Sequence, residues 1–166
     1  RTLSILLVLA MLLAMVPMVM AGEIRDDGFY YFTDREGNEM KAPLNAFATK
    51  VVEFTPGSPW TKYAEQQKAN NILGIPDRTG RDSTSVGDLC MGSGGIIVLE
   101  FDVVIYDGDG LDIYVFEVGD MVEATKIEVS SDLKNWYEVG TAQGKTAGVD
   151  LNGKVPDGAM FRYVRL

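Results

Sequence analysis

The chain has 166 residues, 15 of them basic and 24 acidic, for a formal net charge of −9, with no histidine and one cysteine. Without histidine there is no Ser-His-Asp triad, no Cys-His pair and no His-ligated zinc or iron, and a single cysteine makes neither an intrachain disulfide nor a cysteine-rich metal site. A pI near 4.5 argues against a basic face for nucleic acid.

Much of the hydrophobic content sits at the start. Residues 5–21, ILLVLAMLLAMVPMVMA, are apolar except for Pro17; Arg1 precedes them, and Val19 and Ala21 are small residues ahead of a cut before Gly22. Basic start, apolar middle and small-residue end form the pattern of a secretory signal peptide. The rival reading is a membrane anchor, because roughly 20 apolar residues span a bilayer. Cleavage would leave residues 22–166 as one acidic domain in the periplasm, at the cell surface or outside the cell, with no second segment for membrane insertion. In that oxidising setting Cys90 reads as a small buried apolar residue, or as the partner of a cysteine beyond Leu166 or on another chain.

Along the mature chain, residues 29–32 (FYYF), the polar turn Asp34 to Asn38 and Met40 predict an N-terminal hairpin, with residues 22–49 as an extension. Residues 50–54 (KVVEF) predict a strand that stops at Thr55-Pro56-Gly57-Ser58-Pro59. Residues 61–73 are the one good helix candidate, ended by Gly74 and Pro76. Residues 77–95, rich in Gly, Ser, Thr and Asp, predict a long ordered loop of the kind that binds ligands. From there the pattern is β: 96–106 as two strands or one bent strand, then 112–118, 126–130, 136–139, 146–151 and 161–166. Short strands between turns, with no βαβ rhythm, predict an all-β antiparallel sandwich with one short helix.

Two stretches carry a resemblance: KIEVSSDLKNWYEVG (126–140) and FRYVRL (161–166). Ser-x-Asp-x-x-x-Trp around a hairpin, followed by Arg-Tyr-Val-Arg on a later strand, resembles the discoidin family, the coagulation-factor type C domains with a galactose-binding-like jelly roll. NNILGIPD (70–77), GSGGIIVLEFD (92–102) and DGDGLDIYVFEVG (107–119) look like a bacterial surface branch of that fold, often found with OmpA-like domains. The resemblance covers residues 50–166 and implies a jelly roll. Members of the branch continue past Arg-Tyr-Val-Arg-Leu into a closing strand, so the sequence is expected to continue beyond Leu166.

Among residues that could carry chemistry, Asp107-Gly108-Asp109-Gly110-Leu111-Asp112 is the best metal candidate, since carboxylates two apart with glycines between them can converge on calcium. It is not an EF-hand, because Leu111 and Val118 stand where oxygen ligands are required, so further ligands such as Asp77 or Asp82 would have to come from the long loop. The same composition also serves a plain β-turn. Arg78 and Arg81 could hold a sugar or pair with Glu100, Asp102 and Glu117. Trp60, Tyr63 and Tyr114 could stack on sugar rings or pack the core, and Trp136 reads as a large apolar plug. The combined expectation is a non-catalytic exported module that binds glycan or another envelope protein, assisted by calcium through Asp77, Asp107, Asp109 and Asp112, with Trp60, Arg78 and Arg81 touching the ligand. Its rivals are an envelope spacer ahead of an OmpA-like anchor and an accessory domain of a secreted hydrolase.

Overall fold

The computed structural model describes residues 22–76, 87–118 and 123–166; residues 1–21, expected to be an export segment, and the stretch with Asp77, Arg78, Arg81 and Asp82 lie outside the described residues. The fold is all-β and antiparallel. Its strands are β1 (Glu23–Ile24), β2 (Phe29–Thr33), β3 (Glu39–Pro43), β4 (Ala48–Thr55), β5 (Ile96–Ile105), β6 (Ile113–Val115), β7 (Ala124–Ser130), β8 (Tyr137–Gln143), β9 (Ala147–Val149) and β10 (Phe161–Arg165). They form a three-stranded sheet β1-β2-β3, a five-stranded sheet β4-β5-β10-β7-β8 and a ribbon β6-β9.

The five-stranded sheet is the frame. β10 lies at its centre, with Val164 opposite Leu99 of β5 on one side and Val129 of β7 on the other. Strand alternation sends Ile127, Val129 and Val164 inward to 1% exposure or less, and there they meet Ile113 and Val149 of the β6-β9 ribbon. The two layers make a sandwich, and each fully buried side chain of this size is worth about 1.5–3 kcal/mol of transfer free energy. A second apolar cluster, around Ala48, Ile97 and Leu99, continues the core beneath β4.

The predicted hairpin is β2-β3, closed by Asp34, whose carboxylate accepts the Asn38 backbone N–H at 2.8 Å and side-chain Nδ2 at 3.0 Å. Its alternate residues Tyr30 and Phe32 are buried against Phe47, Tyr114 and Phe116, with ring centroids 5.0–6.2 Å apart. Residues 96–105 are one long strand. The helix expected over 61–73 is instead a pair of 3₁₀ turns, Ala64–Gln67 and Ala69–Ile72, with Lys68 extended between them. Side chains break the longer helix: Asn71 Nδ2 donates to the Glu65 and Asp88 carbonyls, and Gln66 Nε2 donates to the Asp88 carboxylate, so local groups compete with the helical ladder. The Gly-rich segment 92–95 interlocks with 57–58: Gly57 N–H donates to Met91 O and Ser58 N–H to Ser93 O, an approach too close for a Cβ on Gly57.

Candidate functional site

Asp107 follows β5, Asp112 precedes β6 and Asp150 follows β9. The ribbon register pairs Ile113 with Val149, so Asp112 and Asp150 occupy the next rung as like charges across from each other. Directly opposed like charges destabilise a strand pair unless something compensates them. Asp107 completes the group, with one ligand atom from each carboxylate lying within 4.8 Å of the others. Loss of hydration and the nearby charges of Asp112, Asp150 and Asp157 push the Asp107 carboxyl above its ordinary value.

Asp112 organises the loops. Its Oδ1 accepts Gly108 N–H at 2.8 Å, its Oδ2 accepts Leu151 N–H at 2.9 Å, and its own N–H donates to Val149 O. One side chain therefore ties the β5-β6 loop to the β9-β10 loop. Hard oxygen ligands from separate loops, converging without an ion-pair partner among the described residues, suit calcium or magnesium. Asp109 is an exposed loop residue outside the group. Asp77, also expected as a ligand, lies outside the described residues. Sequence reading missed Asp150, because residues 146–151 read there as strand; the turn-forming run Asp150-Leu151-Asn152-Gly153 was the available signal.

Trp60, the expected ligand-contact residue among the described residues, is not brought to this end. Trp60 is 38% exposed, but its Nε1 donates to Cys90 O at 2.7 Å and its ring leans on Phe54. Arg78 and Arg81 lie outside the described residues. Tyr114 belongs to the aromatic cluster under the N-terminal sheet. Glu100 pairs with Lys50 at 3.1 Å, and Arg162 reaches Glu100 and Asp102 at 3.9 and 4.0 Å, so these acids are strand-surface ion pairs. Glu117 accepts Glu123 N–H at 2.9 Å, and burial raises its carboxyl above the ordinary range. Cys90 is half-buried. Trp136 lies outside both core clusters, on the outer face of the large sheet, with the Arg165 guanidinium 4.3 Å from its ring centroid. No helix among the described residues is long and apolar enough to cross a membrane. No protein-family model, curated protein or solved structure matches the chain.

Proposed function

We propose that this chain is a non-catalytic recognition module of an exported protein, holding glycan or another envelope protein, with calcium setting the loops at one end. The observation that carries this reading is the convergence of Asp107 and Asp112 of the β5-β6 loop with Asp150 of the β9-β10 loop, at one end of the sandwich. A fixed double layer presents loop groups at low entropic cost, which is how a binding module gains affinity without moving parts. The motifs of residues 92–140 and 161–166 add the discoidin-like reading and its jelly-roll connectivity as part of the same proposal.

Thermal unfolding tests the metal. The melting temperature is expected to rise in millimolar calcium relative to chelator, and the rise is expected to vanish in Asp107→Asn and Asp150→Asn. An unchanged melting temperature removes calcium from the proposal. Glycan arrays and isolated wall material, probed with folded protein in calcium, test recognition; the reading is abandoned if both stay blank and purified envelope proteins also fail to bind.

A further inference from the structure

The charges of the five-stranded sheet single out one residue. Its strands carry nine Asp, Glu, Lys and Arg side chains. Eight of them meet an opposite charge within 4.0 Å: Lys50 with Glu100, Arg162 with Glu100 and Asp102, Arg165 with Glu128, and Lys126 with Glu128 and Glu138. The ninth is Glu53, whose exposed carboxylate has neither an ion pair nor a hydrogen bond among the described residues. It feels Arg165 only at longer range.

Glu53 stands at an open groove of about 240 Å³, at the end of the sheet opposite the aspartates, between the β4 edge and the β7-β8 turn. That is below the roughly 300–1,000 Å³ of drug-sized sites and suits one protruding side chain. Val52, Ile96 and Leu133 line it and are 37, 45 and 39% exposed, so three apolar side chains share one surface in water. The Leu133 wall is set in advance, because its backbone N–H donates to Ser130 Oγ at 2.9 Å within the turn that Asp132 holds.

Charge and shape together choose the occupant. Arg165, the groove's other charged residue, is already spent: its Nε pairs with Glu128 at 2.6 Å and its guanidinium lies 4.3 Å from the Trp136 ring centroid. An anionic group would meet Glu53 and Glu128, and a neutral one would leave Glu53 without a counter-charge. A cation completes the pairing. An apolar wall leading to a single carboxylate matches a long aliphatic stem that ends in a compact positive charge. Lysine has that form; arginine's planar fork of donors would also turn toward the donors of Arg165.

We infer that the groove receives a lysine side chain of a partner protein, its stem along Val52, Ile96 and Leu133 and its ammonium at Glu53. The inference rests on the protein-binding arm of the recognition reading and names the chemistry of that partner. The test titrates an acetylated and amidated Ala-Ala-Lys-Ala-Ala peptide into the folded chain at physiological salt and follows the methyl NMR signals of Val52, Ile96 and Leu133. Matched peptides carry norleucine, which keeps the stem without the charge, or diaminopropionate, which keeps the charge on a short stem. Expected are saturable shifts at the three methyls with the lysine peptide and at least fivefold weaker binding of both comparators, on the order of the contribution of one exposed ion pair or of the buried stem. Glu53→Gln and Leu133→Gly should each weaken the lysine peptide about fivefold, and Glu138→Gln, on the same sheet, should not. The unfolding midpoint of Leu133→Gly should not fall, because φ at this position is +63°, which glycine adopts freely. Equal binding of the norleucine peptide, shifts that do not saturate, or equal loss in Glu53→Gln and Glu138→Gln would each overturn the inference. An envelope protein that binds without moving the groove methyls sinks this inference alone; blank results with every envelope protein and glycan sink the recognition reading.

Discussion

Two aspartates at opposite ends of the sheet show how the same side chain is driven in opposite directions. Asp132 accepts the backbone N–H groups of Lys134 and Asn135 at 2.8 Å each, Asn135 Nδ2 at 2.8 Å and the Ser130 hydroxyl at 3.2 Å. These donors hold its carboxyl far below the usual aspartate range. A depressed folded pKa adds stability above the unfolded value near about 4, and that stability is lost as pH falls through the folded value. Asp132→Asn should therefore lower the urea midpoint at neutral pH and leave it less sensitive to acid; an unchanged acid limb would argue against this turn as an anchor. Asp107 has the reverse sign. Its raised folded pKa favours the fold while the group is protonated, and that advantage disappears as pH rises from about 4 through the folded value. Without calcium, Asp107→Asn should raise the melting temperature at neutral pH, and a fall there would mean that the aspartates do not repel.

At the scale of elements, alternation decides what was legible. Ile127 and Val129 read as inward-facing because polar residues separate them, and both are fully buried. Ile127→Ala should cost about 2–5 kcal/mol, seen as a lower urea midpoint with the slope preserved. The N-terminal hairpin and the Trp136 turn were marked by turn residues flanking apolar runs, whereas 96–106, open in sequence between two strands and one bent strand, forms one strand, Ile96–Ile105. The helix over 61–73 failed because Gln66 and Asn71, acceptable in a helix by propensity, take distant partners at Asp88 that only the folded chain provides. Asp150 was invisible for the same kind of reason. Its importance comes from the β6-β9 register, which sets it opposite Asp112, and pairing between segments so far apart leaves no local pattern. Trp136, expected as a large apolar plug, lies outside both core clusters and packs instead under the guanidinium of Arg165 on the outer face.

For the molecule as a whole, the aromatic cluster makes the N-terminal sheet part of one body. Phe32 is 5% exposed and touches Tyr114 and Phe116 of the sandwich at centroid distances of 5.1 and 5.0 Å. Phe32→Ala should cost about 3–5 kcal/mol. Because the contact spans both sheets, fluorescence and far-UV signals should still fall together in one transition. Two separate transitions would show the N-terminal sheet to be an independent unit. The placement of β10 between β5 and β7 has a temporal consequence. A polypeptide emerging from the ribosome or a translocation channel has already released β4, β5, β7 and β8 before β10 appears, so its two half-sheets wait with bare inner rims. Until those few residues thread between them, the nascent chain is most open to wrong pairing, and any holding factor would have to act during that interval.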